Sequence, residues 1–203
     1  MTALDLFGGE LAAPTNGDSM LPRTKHGLDS YECISALQKH IRRGNDLEAM
    51  RFAVEMMITS KAYFSRTINR LQVIVHEDID TVAHPEVLLY ADTAMSHARE
   101  WYDPDPMKLG KSCMAIGNLI RLLCRSPKSR TGDHFQASVR LASILEDYKP
   151  EVPDFALDKH TRRGKQKGRD LGHFRSVGAR LNPMPKQDDY EEEAYRLWKL
   201  SGM

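Results

Sequence analysis

Three observations predict an all-α fold. Apolar residues recur at helical spacing between about residues 29 and 149, capping residues bracket those stretches, and no run alternates with period 2. The expected architecture is a compact multi-helix bundle over residues 29–149. A flexible leader over residues 1–28 precedes it, and a basic segment with many Gly and Pro residues, ending in a short helix, follows over residues 150–203.

The leader holds Gly8-Gly9, Pro14, Asn16-Gly17 and Pro22 with few large apolar side chains, too little surface to order itself. The first helix starts at Asp29 or Ser30, either a good N-cap, carries Ile34, Leu37 and Ile41 on one face, and stops at Gly44. A second, from about Asp46 to Thr59, is expected to bury Leu47, Met50, Val54, Met57 and Ile58. A third, from about Ala62 to Glu77, spaces Phe64, Ile68, Leu71 and Val75 along one stripe. The corner Asp78 to His84 leads to a fourth helix opened by Pro85, with Val87, Leu88, Ala91, Met95 and Ala98 inward. The fifth, about Met107 to Arg125, is apolar on more than one face, which makes it the central helix or one shared with another subunit. A sixth, about Asp133 to Tyr148, should turn Phe135, Val139, Ala142 and Leu145 inward. The last, about Asp188 to Leu200, has Glu191 to Glu193 at its N-terminus, matching the helix dipole.

Composition narrows the classes. A chain of 203 residues can bury a real core, and 41% hydrophobic with 28% charged residues is ordinary for a globular protein. Net charge is +1, so a case for nucleic acid must rest on a local cluster. Cys33, Cys113 and Cys124 all sit in helical apolar patterns, the usage of reduced cytoplasmic thiols. No apolar run reaches the roughly 18 residues of a membrane span. The expectation is a cytoplasmic protein with no membrane partner.

Enzyme signatures are weak. Gly110-Lys111-Ser112 lacks the glycine five positions earlier that a phosphate loop needs; Asp105 stands there between two prolines, and no strand precedes it. His76, Glu77, Asp78, Asp80 and His84 gather acid–base types at one corner, but residues at helix corners are commonly caps or ion-pair partners. No catalytic residue, metal ligand or cofactor is assigned. The rival expectation is an enzyme acting on a phosphorylated substrate through that corner or the basic segment.

Two local features point to partners. Lys159, Arg162, Arg163, Lys165, Lys167, Arg169 and Arg175 lie in a run opposed internally by Asp170 alone, with interspersed glycines and His173-Phe174 available to stack on a base. That pattern predicts DNA binding. Near the N-terminus, Leu4, Asp5, Leu6 and Phe7 resemble the bacterial sliding-clamp-binding motif, Gln-Leu-Ser/Asp-Leu-Phe, with Ala3 in place of the glutamine. An extended tail of this kind seats Leu6 and Phe7 in an apolar pocket, at an affinity near micromolar, about −8 kcal/mol.

Ile34-Ser35-Ala36-Leu37 with Lys39 and Ile41-Arg42, then Glu77-Asp78-Ile79, Ala83-His84-Pro85 and Pro127-Lys128-Ser129, occur in the order seen in the C-terminal helical domain of the RarA/MgsA family of clamp-loader-related replication-fork ATPases. The chain resembles that domain over roughly 120 residues, with Asp80 where the family usually has glycine. The resemblance implies an assembly domain without its AAA+ motor, a homotetramer, and a role in DNA replication or repair. Ile116, Leu119, Ile120 and Leu123 are the expected oligomer interface. Together these features predict a non-enzymatic oligomeric accessory protein touching a sliding clamp and DNA. An alternative is a phage or mobile-element modulator or inhibitor of a host RarA-like ATPase.

Overall fold

The computed structural model describes residues 23–186 and 188–201. It is all-α: among the described residues there are no strands, and the isolated bridges are Arg23 with Asp29 and Ile79 with Lys128. The chain divides into two compact units, residues 1–140 and 141–203, and the division falls inside a helix.

In the first unit, α1 (Ser30–Arg42) is capped by Asp29, whose carboxylate accepts from the Tyr31 and Glu32 amides at 2.8 and 3.1 Å. It ends at Gly44, whose φ of +75° suits glycine, and whose N–H donates to Ile41 O. Helices α2 (Asp46–Thr59), α3 (Lys61–Asp78) and α4 (Glu86–Glu100) follow. A 3-10 turn over Pro106–Lys108 then leads into α5 (Gly110–Arg125).

Helix α5 is the centre. It packs on α1, α2 and α4, and its Ile116, Leu119, Ile120 and Leu123 are fully buried. Burying side chains of that size stabilises the fold by roughly 1.5–3 kcal/mol each. Ser112 sets the register with α4: its buried hydroxyl donates to Ala98 O at 2.9 Å. Phe64 stacks on Tyr102 at 4.4 Å between ring centres, and the Tyr102 hydroxyl donates to Met57 O. The expected inward faces of α3 and α4 are those observed, apart from Leu88, which is half-buried.

Three expectations are corrected. On α2, Leu47 is exposed, and Ala49, Ala53, Met56 and Met57 are buried, because small residues let α1, α3 and α5 approach closely. Helix α6 (Thr131–Leu145) has no buried residue among those described: Phe135, Val139 and Leu145 are exposed and Ala142 is half-buried, so its amphipathic stripe is not turned into the core of the bundle. The leader does not stay loose as far as residue 28. The Lys25 amide donates to Thr59 Oγ1, and the His26 amide and ring meet Glu55 at 3.0 and 2.6 Å. The Tyr63 hydroxyl also donates to Arg23 O. Burial alone would raise the Glu55 pKa, but hydrogen bonds from Thr24 and His26 outweigh it and hold it below the ordinary value.

The second unit is built of short pieces: α7 (Arg162–Gln166), α8 (Leu171–His173) running into a π turn, and α9 (Glu191–Ser201). Leu157 is its one buried large apolar side chain among the described residues. The three cysteines are free; burial pushes each thiol pKa up, as expected of unreactive thiols.

Candidate nucleic-acid interface

The two corners singled out in the sequence meet each other. The Asp80 amide donates to Pro127 O at 3.0 Å and the Ser129 amide to Asp78 O at 3.1 Å, on either side of the Ile79–Lys128 bridge. Ile79 is buried beneath this pairing. Asp78, 2% exposed, accepts from Arg42 Nε at 2.7 Å and Gln38 Nε2 at 2.8 Å. Glu77 accepts from Arg42 and Gln38 at 2.9 Å and from Arg130 at 3.1 Å, and Arg130 also pairs with Asp133. Lys128 closes the clasp from the other side: its ammonium donates to Leu123, Cys124 and Ser126 carbonyls at 2.6, 3.1 and 2.8 Å, capping the end of α5.

This geometry decides the chemistry of the corner. Both carboxylates are fully engaged with cations and an amide, the arrangement of a structural clasp. His84 pairs instead with Glu86 at 3.2 Å. No group of three or more potential metal ligands occurs among the described residues. Ser112 of the Gly-Lys-Ser run is turned into the core.

The basic segment is sorted by its own hydrogen bonds. Lys167 and Arg169 are not free for a ligand: both pair with Asp154, outside the run, and Arg169 also donates to the Asp154 and Leu157 carbonyls. The Lys167 and then the Arg169 side chains hold Asp154 down to a pKa of about 2. Arg175 lies over the Tyr195 ring, 3.3 Å from its centre. Phe174 is half-buried and meets His160 edge-on, so the expected His173-Phe174 stacking platform is not presented. That leaves Lys159, half-buried, and Arg162, Arg163 and Lys165, all exposed and without an ion pair among the described residues. Helix α7 displays the last three: Thr161 caps it by accepting from the Gly164 amide at 3.0 Å. Gly164 is obligatory there, since a Cβ would fall 1.8 Å from Asp158 O.

The expected oligomer interface is corrected. Ile116, Leu119, Ile120 and Leu123 are fully buried on a helix that packs on α1, α2 and α4 inside its own unit, and they offer nothing to a second copy. Burial on α5 is one-sided: Lys111, Met114, Asn118, Arg121 and Arg125 are exposed, and the large apolar side chains are turned into the bundle. The clamp-like residues Leu4, Asp5, Leu6 and Phe7 lie outside the described residues. No helix among the described residues is long and apolar enough to cross a membrane. Sequence reasoning missed Arg42, Gln38, Arg130 and Asp154, although Gln38 and Arg42, one turn apart, share a helix face that could have signalled a polar cluster. No family model matches the chain, and no curated protein matches it.

Proposed function

We propose that this protein is a non-enzymatic accessory factor of DNA replication or repair that holds nucleic acid through its basic segment. The observation that carries the reading is the exposed group Arg162, Arg163 and Lys165, displayed on α7 without carboxylate partners among the described residues. Lys167 and Arg169 tie the segment to Asp154. Such a group binds phosphates by charge, with affinity that falls steeply as salt rises. Neutralising Arg162, Arg163 and Lys165 together is expected to weaken DNA binding and flatten its salt dependence; an unchanged affinity and slope refutes the reading.

Assembly and clamp contact belong to the same proposal. A RarA-like helical block would multiply the tails it carries, so weak peptides such as Leu4 to Phe7 gain avidity. With the α5 residues interior, self-association is assigned to the exposed first-unit part of α6, where Phe135 is an exposed apolar side chain. A homotetramer by light scattering, and clamp capture lost in a Leu6→Ala, Phe7→Ala variant, are the expected results. Co-assembly with a host RarA-like ATPase would use the same face. A monomer that captures no clamp refutes this part.

A further inference from the structure

The first unit carries a second feature suited to nucleic acid, a groove of about 210 Å³ between α1 and α3 lined by Ser30, Tyr31, Ile34, Arg66, Asn69, Arg70 and Val73. Among the described residues its charged lining is two arginines and no carboxylate. Arg66 donates to the Ser30 hydroxyl at 2.9 Å and to the Tyr31 hydroxyl at 3.3 Å, and its guanidinium sits 4.9 Å from the Tyr31 ring centre. These are neutral acceptors, so the hydrogen bonds fix the direction of the guanidinium without cancelling its charge. Arg70 donates to Gln38 Oε1 at 3.2 Å, which links this groove to the Asp78 cluster. The nearby acids are Asp29, which is engaged in capping α1 at the Tyr31 and Glu32 amides, Glu32 on α1, both outside the lining, and Glu77 and Asp78, which are engaged by Arg42 and Gln38. Tyr31 is 57% exposed, with the Arg66 guanidinium against its ring.

We infer that this groove binds one nucleotide unit of a single strand, with the base against Tyr31, Ile34 and Val73 and the phosphate on Arg66. The size admits one heterocycle, and the side chains of Ile34 and Val73 give it apolar walls. The Asn69 amide, at the rim, can both donate and accept, as a base edge requires. Stacking on an exposed aromatic is tolerant of sequence, and a single arginine contributes one phosphate contact. An acidic peptide would use Arg66 but would have no use for the Tyr31 face.

The inference rests on the reading of the protein as a nucleic-acid binder, but it involves different residues, so the two can fail separately. The test is fluorescence anisotropy with a labelled six-nucleotide oligo-dT across a salt series, for the whole chain and its variants. Tyr31→Ala is expected to weaken binding at least fivefold with the salt slope unchanged, and Tyr31→Phe to restore it. Arg66→Gln is expected to weaken binding and to reduce the slope by about 0.7, the value of one single-strand phosphate. Thymidine monophosphate, added alone and followed by amide shifts at residues 30–34 and 66–70, separates a free nucleotide from a strand as the source. Shifts there support the site, and tighter binding of the oligonucleotide assigns it to a strand. Tyr31→Ala and Arg66→Gln proteins that bind like the parent overturn the inference, even where the Arg162, Arg163, Lys165 variant loses binding. Poly-glutamate competition sensitive to Arg66→Gln but not to Tyr31→Ala also overturns it. A parent protein that binds no DNA removes both readings.

Discussion

Replacing Asp78 with asparagine tests whether the paired corners hold the helical block together. The side chain is 2% exposed and accepts two hydrogen bonds, from Arg42 Nε and Gln38 Nε2. Asparagine keeps the shape but removes the charge and turns one acceptor into an N–H donor. That donor must face either Arg42 or Gln38, both of which are donors. Gln38 cannot simply flip to help, because its oxygen already accepts from Arg70. One charge-assisted bond is therefore lost and a buried donor is left opposed, while Glu77 still holds the outer edge of Arg42. Breaking a buried ion pair costs about 3–5 kcal/mol, and the retained Glu77 contact places this case near the lower end, about 3 kcal/mol. Urea unfolding followed by far-ultraviolet circular dichroism at neutral pH reads it directly. Arg130→Ala, at the exposed rim of the same cluster, should cost no more than about 1 kcal/mol. A loss below about 1 kcal/mol for Asp78→Asn would show that the corners touch without supporting the block.

Further outcomes follow from the same geometry. Lys128→Met keeps most of the stem but removes the donor to three carbonyls at the end of α5; because this residue is solvent-accessible, a loss of about 1–2 kcal/mol in the same unfolding assay is expected. Gly164→Ala drives a Cβ into the Asp158 backbone, so α7 must open; faster tryptic cleavage near Arg162 and Arg163 checks it, and unchanged cleavage contradicts it. Glu55 has a folded pKa below its usual value, so its contribution is complete above about pH 4.5 and is lost as pH falls through the lowered folded value. Glu55→Gln should flatten the stability profile on that acid side, read by urea unfolding across the acid range; an unchanged acid limb contradicts it.

How much of this was legible depended on which physical signal each residue carries. The α3 stripe of Phe64, Ile68, Leu71 and Val75 was readable because large side chains at helical spacing admit one inward face. The α2 face was misjudged because Ala49 and Ala53 bury little area, yet they permit the close crossing that turned Leu47 outward. Amphipathicity on α6 stated that a face wants cover without stating who supplies it. The corners were recognisable as turns, but nothing local says that Asp80 pairs with Pro127 or that Ser129 reaches Asp78. In the basic segment, counting charges within the run overlooked Asp154, which lies 13 and 15 residues from its two partners. The remaining exposed cations are consequently fewer than the sequence suggests, and they are concentrated on α7.

The most direct test of the central claim is the dependence of DNA affinity on salt between 50 and 200 mM, measured by anisotropy for the parent chain and for Arg162→Ala, Arg163→Ala, Lys165→Ala combined. The account predicts measurable binding by the parent and a log–log slope shallower by about 2–3 in the variant, one phosphate lost per cation. Equal affinities and equal slopes for the two proteins would contradict it.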